Sequence, residues 1–467
     1  MKYIIVTGFL FSIIVNVNAQ DKKPLPTKAQ LAWHNMEFYL FIHFGPNTFT
    51  DKEWGHGDEP SAIFNPTQLD CKQWARIAKQ SGAKGIIITA KHHDGFCLWP
   101  SKFSKHTVRE SKWKNGKGDV LKELSQACKQ YGLKFGVYIS PWDRNHPKYG
   151  TEEYNDVFVN MMKEIFTSYG PIWELWWDGA NGEGPNGKKQ VYDWDRYKRT
   201  VKALSPSTVV FSDVGPHVRW VGNEKGIAGK TNWNYLDTVG FTPGIGAPSV
   251  EVLNEGNING KAWIPAECDV SIRPGWFYHA HEDDKVKSPE ILFDLFLKSV
   301  GRGANLLLNV PPDRRGKFHA NDSASLVGFK KLIDKNFSKT LINEKGTMVS
   351  FDKPDSIVVS ANKETVEVKD YRNNSSNIIF DEPRFVNAIV ISEDLTHGQR
   401  VKNFVVQVLD QDRKSFYVQG TTIGHKRILT FPKVETAFIA IRFLDSFGNP
   451  MINGIDAFLI DENLVEK

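Results

Sequence analysis

Cysteine is scarce: Cys71, Cys97, Cys128 and Cys268 are the four in a chain of 467 residues. They stand far apart with no C-x-x-C pair, which disfavours a zinc cluster and implies no disulfide framework, so they read as free, buried thiols. Past the N-terminus no stretch reaches the roughly 18 apolar residues that a membrane span requires. Neither sign of charge prevails. The formal net charge is +5, and basic residues alternate with acidic ones instead of forming runs, which describes a solvated surface and argues against a nucleic-acid partner. A Gly-rich phosphate loop is also missing. Ile42-His43-Phe44-Gly45-Pro46 follows the first apolar run where a dinucleotide-binding doubly wound sheet would carry one.

What is present begins with the leader. Met1-Lys2 is basic, Tyr3 to Val15 is mostly apolar, and Val17-Asn18-Ala19 is a small-residue cleavage site. Residues 1–19 therefore read as a secretory signal peptide, with the mature protein periplasmic or extracellular and no lipoprotein cysteine at the junction. The length calls for a large domain plus a smaller module. Aromatics are abundant, with 14 Trp and 30 Phe; most belong in a core, and the remainder suit the flat C–H faces of sugar rings.

Seven apolar runs read as strands: Phe38–Phe44, Gly85–Ala90, Lys134–Ser140, Ile172–Asp178, Thr208–Asp213, Ala262–Val270 and Asn305–Val310. They are near-continuous in hydrophobicity, as parallel strands buried on both faces are. Helical patterns alternate with them, so residues 20–340 predict an α/β fold, a (β/α)8-like barrel with room for a missing helix or two. After Thr340 the runs shorten and alternate (Ile357–Ser360, Thr365–Val368, Ala388–Ile391, Phe404–Leu409, Phe438–Phe443, Ala457–Ile460), which predicts an all-β sandwich over 341–467.

In such a barrel the C-terminal strand ends face the active site. They carry His43; Lys91-His92-His93-Asp94-Gly95; Tyr138; Trp176-Trp177-Asp178-Gly179; Arg219-Trp220-Val221-Gly222-Asn223-Glu224; and Glu267-Cys268-Asp269. Imidazoles, indoles and carboxylates on one rim are the chemistry of a sugar pocket. Glycoside cleavage needs two carboxyl groups, one ionised and one protonated. Asp178 is the candidate nucleophile, since it ends a very apolar run in which an idle charge would be expensive. On position alone it reads equally well as a turn aspartate.

Phe41-Ile42-His43-Phe44-Gly45, Glu53-Trp54, Lys91 to Phe96, Trp176 to Gly179 and Gly303 to Val310, in that order, resemble glycoside hydrolase family 29, the α-L-fucosidases. The resemblance spans about residues 30–315. It implies a barrel–sandwich architecture, a fucosylated oligosaccharide or glycan as substrate, net retention and no cofactor. Asp178 matches the family nucleophile, and His43, Glu53, Trp54, His92, His93, Tyr138 and Trp176 match its sugar-contacting positions, with Trp276 a further platform. The segment Arg219 to Glu224 and the stretch Pro265 to Trp276 resemble the branch that prefers α-1,3/1,4-linked fucose. Glu224 is accordingly favoured as the acid/base, with Glu267 its rival.

Two other readings compete. A metal-dependent barrel hydrolase also gathers His and Asp at strand ends, but His43 stands alone on the first strand, and adjacent His92 and His93 point to opposite sides of an extended chain. A non-catalytic carbohydrate-binding protein would not need both carboxylates. The C-terminal module reads as a brace for the barrel, because no Trp occurs after residue 276.

Overall fold

The computed structural model describes residues 23–350 and 366–466, apart from 371 and 374. The leader expected over 1–19 and the strand expected at Ile357–Ser360 lie outside the described residues, as does the first residue of Thr365–Val368.

Eight parallel strands close into a barrel. In chain order they begin with β1 (Phe38–Ile42), β2 (Gly85–Lys91), β3 (Lys134–Ile139), β4 (Glu174–Trp176), β5 (Val209–Ser212) and β6 (Val218–Trp220). A small antiparallel pair, β7 (Tyr235–Leu236) and β8 (Ala262–Trp263), stands outside the barrel, which β9 (Ala266–Ser271) and β10 (Asn305–Asn309) complete. The hydrogen-bonded order is β1-β10-β9-β6-β5-β4-β3-β2, back to β1. Every residue of β1, β2, β9 and β10 is buried, which is why the runs of β1, β2 and β10 show no polar alternation, whereas β9 alternates its apolar residues with Glu267, Asp269 and Ser271.

Helices wrap the outside with local start and stop signals. Before β1, α1 (Lys28–His34) opens on a Thr27/Gln30 capping box, and after it comes the short α2 (Pro46–Thr50). Asp70 caps α3 (Cys71–Gln80), and Asp119 caps α4 (Val120–Tyr131), which Gly132 ends at φ 66°. Then follow α5 (Glu153–Ser168), α6 (Trp194–Leu204), α7 (Val250–Glu255), α8 (Pro289–Lys298) and α9 (Ala320–Phe337). No helix separates β5 from β6, the kind of omission the sequence left room for.

Two expectations need correction. No strand was expected between Thr208–Asp213 and Ala262–Val270, yet Val218–Trp220 is the sixth strand of the barrel, pairing with β5 and β9. An arginine in a three-residue strand hides the apolar signal. It is tolerated there because its guanidinium donates to Leu253 O (2.8 Å), Ile264 O and Asn232 Oδ1 (3.1 Å). The run Ala262–Val270 is two strands, not one. Pro265 has no N–H with which to continue a ladder, so β8 leaves to pair with β7 while β9 enters the barrel.

The C-terminal part is antiparallel, in the order β12 (Val366–Glu367), β17 (Met451–Phe458), β13 (Ser376–Glu393), β16 (Arg427–Ser446), β14 (Val401–Asp410) and β15 (Ser415–Gly420), with β11 (Thr347–Ser350) also on β13. The long β13–β16 ladder breaks register between Ile379 and Arg384, where the sheet bends over a core that includes Ile389, Phe404 and Ile441. Polar contacts fasten this sandwich to the barrel. Gln399 bonds Asn232 O and Asn234 N–H, and Glu37 accepts from His425 (3.0 Å) and Lys426 (2.7 Å).

Candidate active site

The strand ends converge on a cavity of about 220 Å³ lined by Phe41, His43, Glu53, Trp54, His92, His93, Tyr138, Trp176, Asp178, Ala180, Glu224, Asp269 and Trp276. It is smaller than the ~300–1,000 Å³ typical of drug-sized ligands and suits a single sugar ring. Ten of the eleven residues singled out from the sequence line it. The exception is Glu267.

Asp178 follows β4 on a turn that Gly179 makes feasible: a Cβ there would stand 2.0 Å from both carboxylate oxygens of Asp213. Its Oδ1 accepts from Ala180 N–H (2.7 Å) and its Oδ2 from Tyr138 Oη (3.0 Å). Burial raises the carboxyl above the usual range, while these two donors pull it back toward the ionised form. Its side chain keeps 24% exposure, open to the cavity. Asp213, behind it, is pushed up to about 6 by burial and by the charge of Asp178.

The three histidines are neutral. Burial brings His43 and His93 down to about 3 and lowers His92 well below its ordinary value. Their tautomers follow from their partners. Asn309 Nδ2 donates to Ser271 Oγ (2.9 Å) and Trp276 O (2.8 Å), so its Oδ1 accepts from His43 Nδ1–H at 2.9 Å. The Ser140 hydroxyl donates to Trp142 O (2.9 Å) and so accepts from His93 Nδ1–H (2.8 Å). Both rings keep Nε2 as a bare acceptor, and that of His93 stands 3.8 Å from Asp178 Oδ2. An acceptor pair spaced in this way takes a hydroxyl group.

The His92-His93 turn rests on a buried ion pair between Lys91 and Asp143 (3.2 Å) and on Gly95 at φ 80°, whose Cβ would meet Asp143 Oδ1. Trp54 is half exposed and packs edge-on against His93 and Trp142. Trp176 stacks on Phe211 with ring centroids 3.9 Å apart. Trp276 leans over His43 (5.1 Å), and its Nε1 donates to Glu224 Oε2 (3.2 Å).

The two rival carboxylates sit in different worlds. Glu224 is exposed, on the loop after β6, and lines the cavity. Glu267 is fully buried inside the barrel, accepting from Tyr39 Oη and from Trp176 Nε1 (2.8 Å), with Glu174 alongside held by Trp33 Nε1 (3.1 Å). Burial, and in Glu174 the charge of Glu267 as well, raises both carboxyls, so this pair holds a proton that no solvent or ligand reaches. Asp269 was named as a strand-end residue but given no part. It lines the cavity beside Glu224 and accepts from Trp220 Nε1 (2.9 Å), and burial followed by the Glu224 charge raises it well above the carboxylate range. Asn309 carried no signal beyond its place in the Gly303–Val310 motif.

Among the described residues, one trio of metal-type donors comes within 4.8 Å of one another: Asp51, His279 and His281, at the edge of the site. Both nitrogens of His279 are already engaged by carboxylates, and Arg314 stands 3.7 Å from Asp51. Asp51 and His279 are therefore committed to an ion-pair network with Glu53 and Arg314. The cavity's own histidines and Asp178 form no such group.

A family model described as "Alpha-L-fucosidase" matches residues 26–337. The chain is 41% identical over 424 residues to alpha-L-fucosidase 1 of Arabidopsis thaliana, covering 88% of this chain and 82% of that one. A glycoside hydrolase 29 family member from an unknown rumen bacterium superposes with a TM-score of 0.84 at 40% identity, over 94% of this chain and 78% of the other. A GH29 fucosidase of Ruminococcus gnavus, solved in complex with fucose, gives 0.85 at 29% identity, over 96% and 98%.

Proposed function

This chain belongs to the α-L-fucosidase family, glycoside hydrolase family 29, and we propose that it is a retaining exo-enzyme that releases terminal α-L-fucose, linked α-1,3 or α-1,4, from glycans outside the cytoplasm. That it is an α-L-fucosidase, a hydrolase acting on fucosylated glycans, follows from the family. Retention, the linkage, export and the residue roles are our reading.

One observation carries the roles. Asp178 and Glu224 open into the same cavity, whereas the rival Glu267 is sealed beneath Trp176. The neutral Nε2 atoms of His43 and His93 accept hydrogen bonds from fucose hydroxyl groups, Trp276 offers a flat face to the ring, and Trp176, stacked between Tyr138 and Phe211, borders the cavity with its edge. Asp178 attacks the anomeric carbon as its bond to the leaving oxygen breaks, and Glu224 gives that oxygen its proton. A fucosyl ester on Asp178 results. Glu224, now ionised, takes a proton from water as the water oxygen attacks the anomeric carbon, freeing Asp178 and releasing α-L-fucose. Tyr138 and the Ala180 N–H steady the Asp178 carboxylate in both steps. An exposed loop carboxyl such as Glu224 reloads its proton from solvent, which Glu267 cannot do.

The test is a panel of α-1,2-, α-1,3-, α-1,4- and α-1,6-fucosyl oligosaccharides, with released fucose measured and its first anomer read by NMR. α-L-Fucose released fastest from the α-1,3 and α-1,4 members is expected. β-L-Fucose as first product would overturn retention, and equal rates across the panel would overturn the linkage.

A further inference from the structure

Glu53 lines the cavity but spends most of its bonding elsewhere. Its Oε2 accepts from the backbone N–H of Trp276 (2.8 Å), and its Oε1 from Phe277 N–H (3.1 Å) and His279 Nε2 (2.7 Å). The other nitrogen of His279 faces Asp51 Oδ1 at 2.9 Å. Carboxylates only accept, so a ring bonded to one at each nitrogen carries both protons. The approach is close. A Cβ on Gly275 would stand 2.7 Å from Glu53 Oε1 and 2.9 Å from the His279 ring. From Glu53 the chain of bonds continues through Trp276, whose carbonyl is held by Asn309 and whose indole N–H reaches Glu224.

We propose that His279 is a positioning residue: as an imidazolium bridging Asp51 and Glu53, it holds Glu53, the turn at 275–277 and the Trp276 indole where fucose and Glu224 require them. This rests on the reading of Glu53, Trp276 and Glu224 as parts of the fucosidase pocket. His279 is buried, and burial works against its charge, but the hydrogen bonds to Glu53 and Asp51 outweigh that and hold its pKa above the ordinary histidine value. The other charged or titratable groups around it are His281, with ring centroids 5.5 Å apart, Arg314 against Asp51, Arg273 donating to His279 O (3.4 Å), and Glu282 accepting from Gly275 N–H (3.2 Å). The brace is therefore intact below the raised pKa and is lost as pH climbs through it.

The assay is kcat/KM on an aryl fucoside whose leaving group needs no proton from Glu224, measured against pH together with Tm. His279→Ala lowers kcat/KM roughly 10- to 100-fold, the range for one charge-assisted hydrogen bond. His279→Gln, which keeps one N–H for Glu53, recovers part of that loss but shows no alkaline inflection from this group. Asp51→Asn, at a half-exposed position, moves the inflection to lower pH. His281→Ala, which breaks none of these bonds, stays at the wild-type level. Wild-type kinetics in His279→Ala and an unmoved inflection in Asp51→Asn, with Glu53→Gln crippled, would overturn the proposal alone. If Glu53→Gln is also unaffected, the reading of the pocket falls with it. Equal losses in His281→Ala and His279→Ala would instead assign the role to an ion held by both rings.

Discussion

Replacing Glu224 and Glu267 separately distinguishes a proton donor from a buried support. Each Glu267 oxygen accepts one hydrogen bond, from Tyr39 and from Trp176. Glutamine has one oxygen, so Glu267→Gln strands one buried donor, which costs about 1–3 kcal/mol. At roughly 2–4 °C per kcal/mol for a large domain, Tm falls by several degrees. Trp176 is then less well held, and in the proposed pocket it borders the sugar and not the leaving group. The kinetic loss in Glu267→Gln is therefore the same for an aryl fucoside and for a fucosylated glycan. Glu224 is exposed and accepts one bond, from Trp276 at 3.2 Å, so Glu224→Ala changes stability by less than about 0.5 kcal/mol. Its kinetic loss depends on the leaving group, on the order of 10²- to 10⁴-fold for the glycan and far less for an activated aryl fucoside. Azide, which needs no general base, partly rescues Glu224→Ala and traps the ester as α-L-fucosyl azide. A leaving-group-dependent loss with azide rescue in Glu267→Gln, and neither in Glu224→Ala, would refute the reasoning.

Asp178→Ala abolishes turnover of every fucoside, and azide in its place forms the inverted β-L-fucosyl azide; a variant that still turns over unaided would exclude Asp178 as the nucleophile. Tyr138→Phe removes a donor to the ionised Asp178 carboxylate, so the acid limb of kcat/KM moves to higher pH and activity below that limb falls by on the order of 10-fold. A pH–rate series checks the direction. Gly179→Ala places a Cβ 2.0 Å from both Asp213 oxygens, and displacing that carboxylate or the Asp178–Gly179 turn lowers activity while the circular-dichroism spectrum persists. Glu37→Gln removes one of the ionic links from barrel to sandwich and lowers stability at neutral pH by about 2 kcal/mol, as read by denaturant unfolding. Burial opposes the Glu37 charge, but His425 and Lys426 outweigh it and depress its pKa. Its contribution is therefore present above the ordinary carboxylate range and disappears as pH falls through the depressed value, so wild type and Glu37→Gln converge in acid.

The barrel was legible because its strands are buried on both faces, leaving runs such as Leu40 to Ile42 and Leu306 to Leu308 with no polar break. β6 was not, because the usual signal is inverted there: its central Arg219 is buried by bonding to carbonyls contributed from residues 253 and 264, partners invisible in a local window. The pocket residues were legible as strand-end His, Trp and carboxyl groups. Their roles were less so. Glu224 and Glu267 look alike as letters, and only packing puts one on an open loop and the other under an indole. His279 escaped notice for a similar reason, since its two carboxylate partners lie 228 and 226 residues away along the chain.

Six carboxyls in and around the barrel are sorted by environment more than by position. Glu174 and Glu267 have burial without access, so their proton is structural. Asp269 has burial beside the Glu224 charge, which favours its neutral form, while Asp213, pushed up to about 6 by burial and by the Asp178 charge, gives up its proton only above that pH. Asp178 has burial balanced by two donors, and Glu224 has water. A nucleophile must stay ionised at low solvation, and an acid must exchange its proton every turnover. Asp178 and Glu224 are the pair in the cavity that meet those two opposite demands, and this is why the leaving-group experiment, more than the sugar contacts, bears on whether the site has been read correctly.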